Sequence, residues 1–96
     1  MDEINKSKVN LKIEFFQEGD LVLATIPSLQ LTTQGNDRAD AEKNILELID
    51  IFFEENDSKD KLEIALLDCG WTKGVKSFYP PKEIGSLYKE VDFSFA

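Results

Sequence analysis

The stretch IPSLQLTTQGNDRADAEKNILELIDIFF, residues 26–53, decides the fold, because it holds a strand end, a glycine turn, a helix start and one long amphipathic helix in that order. Pro27 ends the pairing of the preceding strand, since proline has no amide hydrogen to donate to a neighbour. Gly35 and Asn36 then turn the chain. The stretch supplies no nucleophile, metal cage or phosphate-binding loop, so it predicts a fold and no chemistry.

The helix is predicted to begin after Asp37, whose carboxylate can accept hydrogen bonds from the free amides of the first turn. Asp40 lies three residues further on, in a position like that of the second residue of a capping box. We interpret both as helix-start residues, because acids are favoured in the first turn. The alternative is a pair of acids for metal binding or proton transfer.

This helix has an apolar stripe and a charged face. The stripe, at three- and four-residue steps, consists of Ala41, Ile45, Leu48, Ile49 and Phe52. Leu46 and Phe53 widen it beyond what one small sheet covers, so a further element or another chain is expected to pack there. The opposite face carries Asp40, Lys43, Glu47, Asp50 and Glu54. A run of charges on a helix is usually only its solvated face.

Three strands are predicted before the helix. Residues 9–16 alternate between apolar and polar with the period of a half-buried strand, and residues 21–26 form an apolar second strand. The loop at 17–20 contains glycine and joins the two as a hairpin. Residues 29–34 can add a third strand before the glycine turn.

A second, shorter helix is predicted over residues 59–69. Asn56-Asp57-Ser58 can cap its start, and Gly70 stands where a left-handed terminating residue belongs. Cys69 lies on its apolar stripe, and the chain has no histidine to activate a thiol. We therefore interpret Cys69 as a small buried residue rather than a nucleophile, and Trp71 as an anchor.

The tail from residue 72 onward contains an aromatic-proline segment and an alternating segment. The segment 78–81, Phe-Tyr-Pro-Pro, is extended, and apolar and polar residues alternate over 87–95, which predicts a fourth strand there. The edge of that strand, or the segment 78–81, is a candidate docking strip for another subunit.

The composition is that of one small acidic domain. The chain has 96 residues, of which 42% are hydrophobic and 31% charged, and its net charge is −8. Residues 1–57 carry 13 acidic and 5 basic side chains, whereas residues 58–96 carry six of each. Such a surface repels phosphate backbones, so we expect no direct nucleic-acid binding, and it favours a basic protein partner. The alternative is that the acidity only maintains solubility.

The sequence contains none of the usual combinations of residues that carry catalysis or bind a cofactor. With no histidine and one cysteine, the usual zinc sites, imidazole-activated nucleophiles and thiol redox pairs are excluded. Glu14, Asp20 and Asp40 could meet across a sheet and hold Mg²⁺, although their spacing does not indicate that they do. We expect no catalytic residue, no metal and no cofactor.

We expect a single domain over residues 1–96, with a core at 9–71 and a tail at 72–96. The polar start MDEINKSK lacks the apolar centre of a secretory signal, and no apolar run approaches the ~20 residues that a membrane span needs. The sequence therefore predicts a cytoplasmic protein that does not contact a membrane and whose cysteine stays reduced.

The order of these features resembles the HicB family of antitoxin-like proteins over residues 9–55. The residues that carry the resemblance are Pro27, Leu29, Gln34, Gly35, Ala41, Asn44, Glu47 and Ile49. Further on, Leu62, Leu66 and Gly70-Trp71 resemble a second helix of some short members, and the tail matches nothing.

Two departures from the family pattern stand out. The family commonly has a Pro-Gly step after the leucine that matches Leu29, whereas Gln30 and Leu31 follow here and the loop is one residue shorter. Asp37 replaces the usual threonine at the helix start, which exchanges one capping residue for another.

The resemblance implies both a fold and a partner. The fold is α+β, an antiparallel three- to four-stranded sheet with one long helix packed across it in the order β-β-β-α-α-β, a partial ribonuclease H-like arrangement. Family members bind HicA, a small basic ribonuclease that cuts messenger RNA, and many add a DNA-binding tail. Residues 72–96 show no basic helix-turn-helix or ribbon pattern, so this chain is not expected to bind an operator.

We therefore predict a non-enzymatic interaction protein of the HicB type, a homo-oligomer of two or more copies, that neutralises a basic HicA-like toxin. Its expected partner-binding residues are Asp40, Glu47, Asp50 and Glu54. A second hypothesis is a solitary HicB-like scaffold or adaptor that assembles through the aromatic tail and the wide helix stripe. A third is a ribonuclease H-like nuclease that uses Mg²⁺ and carboxylates.

Overall fold

The computed structural model describes residues 8–95, and they begin with a β-hairpin. Strand β1 (Glu14–Glu18) pairs antiparallel with strand β2 (Leu21–Ile26), with Glu18 opposite Leu21. Gly19 in the two-residue turn has a φ of 61°, a left-handed conformation that favours glycine. The predicted bounds of the second strand are confirmed.

The predicted start of the first strand at residue 9 is wrong, because β1 begins only at Glu14. Its neighbour β2 ends at Ile26, and Pro27 then opens a short 3₁₀ helix, Pro27–Leu29. Residues before Glu14 consequently have no strand to pair with, although Leu11 and Ile13 still pack against the core.

Strand β3 (Leu31–Gly35) completes the sheet, and β2 lies in its centre. The prediction of this strand over 29–34 is wrong at its start, because Leu29 belongs to the 3₁₀ helix. Gln30 then takes a left-handed φ of 57°, and its amide donates to the Pro27 carbonyl at 3.2 Å. This turn reverses the chain direction, so that β3 runs antiparallel to β2 and Leu31 pairs with Ile26.

Helix α1 (Arg38–Glu55) begins at a pair of aspartates, as predicted. The Asp40 amide donates to Oδ1 of Asp37 at 2.8 Å, and Oδ2 of Asp40 accepts from the Asn36 amide at 2.8 Å. The capping interpretation of Asp37 is thus confirmed. The second bond reaches one residue further back than the corresponding bond of a capping box.

We expect Asp37→Ala to lower the free energy of unfolding by about 1 kcal/mol, because the Asp40 amide loses its acceptor. Urea denaturation followed by circular dichroism measures the loss. Asp37→Asn is the matched control, since it keeps an accepting oxygen at the same place and should retain most of the stability. An equal loss in both variants would show that the carboxylate charge, and not the hydrogen bond, stabilises the helix start.

Helix α1 packs across one face of the sheet, and its stripe forms the core with residues that precede and follow the helix. Ala41 and Ile45 are fully buried on this stripe. The buried cluster consists of Ala24, Ile26, Leu29, Ala41, Ile45, Leu66 and Trp71. Gly35 lies where β3 passes beneath the first turn of α1, which brings two backbones into close approach.

Helix α2 (Lys59–Asp68) agrees with the prediction to within one residue. The Ser58 hydroxyl accepts from the Lys61 amide at 3.2 Å at its start. Gly70 follows its end with a φ of 87°, as the predicted left-handed terminator. Trp71 is buried, and its indole Nε1 donates to the Ser28 carbonyl at 2.7 Å. The anchor role of Trp71 is confirmed, because this bond joins the end of α2 to the 3₁₀ helix.

A small second sheet follows, in which β4 (Thr72–Lys73) pairs antiparallel with β5 (Phe78–Tyr79). The fourth strand predicted near residues 87–95 is wrong: this described segment forms no strand. Alternation of side chains gives a strand only where a neighbour accepts its hydrogen bonds, and here no neighbour lies alongside. Pro80 and Pro81 stop β5, since neither can donate to a ladder.

The predicted α+β class is confirmed as a three-stranded antiparallel sheet, two helices and a two-stranded sheet. Within residues 8–95, neither helix combines the length and the apolar character needed to cross a membrane.

Candidate partner-binding face of helix α1

The side of α1 that faces away from the sheet carries three of the four predicted partner-binding residues. Glu47, Asp50 and Glu54 are exposed there. Their spacing of three and four residues places them along one face of the helix, one above the other. The structure therefore brings these three carboxylates together as a solvent-facing row.

Asp40, the fourth predicted residue, has a different environment. It is half-buried at the helix start, and its Oδ2 accepts a hydrogen bond from the Asn36 amide at 2.8 Å. This bond orients the carboxylate toward the turn that precedes α1. Asp40 is thus held by the fold itself, whereas Glu47, Asp50 and Glu54 are available to a partner.

A shallow depression of about 430 Å³ opens beside the acidic row. Its lining residues are Ala39, Glu42, Lys43, Leu46, Glu47 and Asp50. Leu46 keeps 46% of its surface exposed, which gives the depression an apolar centre within a largely acidic surround. A partner that fits this surface presents an apolar side chain flanked by ammonium or guanidinium groups.

Sequence reasoning missed the part that Glu42 plays in this surface. Glu42 lies four residues before Leu46, so the helical period alone places the two side by side. The spacing of Glu42 and Leu46 could therefore have revealed this contact, but the predicted charged face was centred on other acids and left Glu42 out. Leu46 and Phe53, which widen the apolar stripe, are both exposed in the described structure, so the expected packing of another chain on them stays a prediction.

Arg38 and Cys69 are of residue types that are often catalytic, but in this fold they have packing roles. The Arg38 guanidinium lies over the ring of Phe15 at 3.7 Å from its centroid, a cation–π contact that joins α1 to β1. Partial burial, and then the nearby charge of Asp68, raise the pKa of the Cys69 thiol, which keeps it protonated at neutral pH. This environment agrees with the interpretation of Cys69 as a packing residue.

The carboxylates that sequence reasoning offered for Mg²⁺ do not come together. Over residues 8–95, no three side chains of Asp, Glu or Cys form a group that could hold a metal ion. Glu14, Asp20 and Asp40 lie on β1, in the hairpin turn and in α1, and thus belong to separate parts of the fold.

Comparison of the chain with protein-family models, with curated proteins and with solved structures gives no match. The resemblance to the HicB family consequently stays a prediction that rests on the residues between 9 and 55.

Proposed function

We propose that this chain is a non-enzymatic, cytoplasmic interaction protein of the HicB type that neutralises a small basic HicA-like ribonuclease. The acidic face of α1, which we define as Glu42, Glu47, Asp50 and Glu54 around Leu46, covers the catalytic or RNA-binding surface of the toxin. The exposed row of carboxylates beside an exposed leucine is the single observation that carries this proposal.

The position of these acids within α1 supports a binding role. The carboxyl end of a helix carries a partial negative charge, so bases stabilise it and acids do not. The last turn of α1 has no basic residue, and Glu54 and Glu55 lie there instead. Asp50 and Glu54 also repel each other one turn apart, at a cost of a few tenths of a kcal/mol. Folding does not favour this arrangement, whereas a basic partner would offset it.

The net charge of the whole chain also favours a basic partner. A net charge of −8 raises the encounter rate with a basic protein and suppresses encounter with RNA. A ribonuclease must present basic side chains to bind a phosphate backbone. A row of carboxylates at helical spacing can bind these basic side chains in place of the phosphates. The ribonuclease is then blocked because its RNA-binding surface is occupied, without any chemical step.

The architecture supports the family assignment. A three-stranded antiparallel sheet with one long helix across it is the arrangement that the resemblance implies. The partial ribonuclease H-like fold would serve here as a scaffold for the helix face, and the protein would act as a homo-oligomer. Within residues 8–95 the main sheet has no fourth strand, and β4 and β5 form a separate two-stranded sheet.

A pull-down from native cell lysate with the tagged chain tests this proposal, followed by sizing chromatography and an RNA-cleavage assay of the eluate. We expect a stoichiometric, small and basic protein that cleaves messenger RNA alone and loses this activity when the chain is added back. An eluate that contains only further copies of the chain would instead favour the solitary scaffold.

The solitary scaffold is the second candidate function, and one observation favours it. The large apolar side chains between residues 84 and 95 are mostly exposed, and such a run is unfavourable unless something covers it. A protein that assembles with itself through this tail needs no toxin.

A further inference from the structure

A second groove lies between the carboxyl end of α1, helix α2 and the β4–β5 sheet, and encloses about 910 Å³. Its apolar lining includes Val9, Phe53, Leu62, Leu66, Trp71 and Phe78. Leu66 and Trp71 are core residues, so the floor of the groove is rigid. An apolar groove of this size accepts a few large side chains from an extended segment.

Lysines surround the groove, in contrast to the acidic face of α1. Lys59, Lys73 and Lys76 contribute to its lining. They are three of only six basic residues in the part of the chain after residue 57. Nζ of Lys73 lies 3.0 Å from Oε1 of Glu63, which holds this ammonium at the edge of the groove. The groove is therefore suited to a segment that combines apolar and acidic side chains.

The tail of the chain is such a segment. Between residues 80 and 95 the described backbone forms neither helix nor strand. Its large apolar residues, Ile84, Leu87, Tyr88, Val91, Phe93 and Phe95, are 67–98% exposed. In an extended chain Val91, Phe93 and Phe95 lie on one side, while Glu90 and Asp92 lie on the other. The tail thus offers an apolar edge to the floor of the groove and outward-facing carboxylates to lysines at its rim.

Within residues 8–95, no residue after Phe78 lines the groove of the same molecule. Oε1 of Glu83 lies 3.3 Å from Nζ of Lys12, just before β1, and marks where the tail leaves the body. The molecule measures 65 Å along its longest axis against 30 and 21 Å along the others. Its radius of gyration is 17.0 Å, whereas a compact chain of this length has about 13 Å. The tail therefore projects from the body of the molecule.

We propose that residues 90–95 of one copy dock into the lysine-lined groove of a second copy, and that the second copy returns its own tail. The contact is isologous, so two tails fill two grooves and the assembly closes as a dimer. Val91, Phe93 and Phe95 enter the groove, and Glu90 and Asp92 pair with Lys59 and Lys76. This proposal goes beyond toxin binding and does not depend on it.

Light scattering on purified protein tests the exchange without any toxin, so its failure is distinct from failure of the antitoxin proposal. The parent is expected to have twice the 10.9 kDa mass of the chain. Phe93→Asp/Phe95→Asp should be a monomer, because it places charge in the apolar groove. The matched control, Ile84→Asp/Tyr88→Asp, changes two exposed residues of the tail that precede the docking segment, and it should stay a dimer. Circular dichroism verifies that both variants fold.

A charge swap identifies the groove as the docking site. Lys59→Glu/Lys76→Glu should raise the dissociation constant of the dimer at least tenfold, and adding Glu90→Lys/Asp92→Lys in the same chain should restore it. A monomeric parent, whether its tail is free or folded onto its own groove, would overturn the proposal. So would a dimer that the tail and groove substitutions leave unchanged, since it would have to form through another surface such as the exposed stripe of α1.

Discussion

Replacing Trp71 with alanine is expected to lower the free energy of unfolding by about 3–5 kcal/mol. Trp71 is only 5% exposed and lies in the buried cluster between the sheet, α1 and α2. Its loss leaves a cavity, and it also removes the indole donor from the Ser28 carbonyl. A domain of this size has only about 5–15 kcal/mol of stability in total, so the variant should be largely unfolded at modest urea concentrations.

Trp71→Phe separates packing from hydrogen bonding. Phenylalanine keeps an aromatic ring in the cluster and loses the N–H group, so we expect a smaller cost of about 1–2 kcal/mol. Far-ultraviolet circular dichroism is the readout, since the chain has one tryptophan and its fluorescence disappears in both variants. A loss below about 1 kcal/mol in Trp71→Ala would show that α2 does not depend on this anchor.

Replacing Gly35 with alanine is expected to cost about 3 kcal/mol, because the added methyl group has no room. A Cβ atom at this position would lie 2.7 Å from Cα of Ala41 and 2.7 Å from the carbonyl carbon of Asp40. Both atoms belong to the backbone of α1 and cannot rotate away as a side chain would. The helix start would have to move off β3, which would disturb the capping bonds of Asp37 and Asp40.

Gly85→Ala is the matched control for this substitution. A Cβ atom at Gly85 would have no other atom within 4 Å, so the stability should change by less than about 0.5 kcal/mol. Urea denaturation of the two variants side by side gives the comparison. If Gly35→Ala were as stable as Gly85→Ala, helix α1 would not cross the sheet as closely as described.

The elements that sequence reasoning placed correctly are those that single residues determine. Strand β2 ends where proline removes a donor, α1 begins where Asp37 caps it, and α2 is followed by a glycine that tolerates a left-handed φ. Each of these signals is local, so it can be recognised without knowing what lies nearby in space.

The errors concern pairing between strands. Residues 9–13 and 87–95 alternate as strands do, yet they have no neighbour to bond with. The predicted third strand includes Leu29, but Pro27 initiates a 3₁₀ helix that contains this residue. Whether an alternating segment forms a strand depends on a partner that can be distant in sequence, which periodicity does not reveal.

The two candidate surfaces, the acidic row of α1 and the lysine-lined groove, differ in whether local sequence spacing predicts them. The acidic row at Glu47, Asp50 and Glu54 follows from helical spacing, so the sequence was sufficient to predict it. The lysine-lined groove was not predicted, because it forms only when α1, α2 and the β4–β5 sheet come together. Lysines spread over residues 59–76 do not form a visible cluster in the sequence.

The acidic face of α1 is the central claim, and the affinity for the captured basic ribonuclease tests it most directly. Calorimetric titration would compare the parent with Glu47→Lys/Asp50→Lys/Glu54→Lys and with Glu18→Lys/Asp20→Lys/Asp57→Lys, whose three acids lie outside α1. The two variants change the net charge equally. We predict that the first weakens binding on the order of 100-fold, since like charges across an interface cost several kcal/mol, while the second binds nearly as the parent does. Equal affinity of the parent and the first variant would contradict the proposed interface.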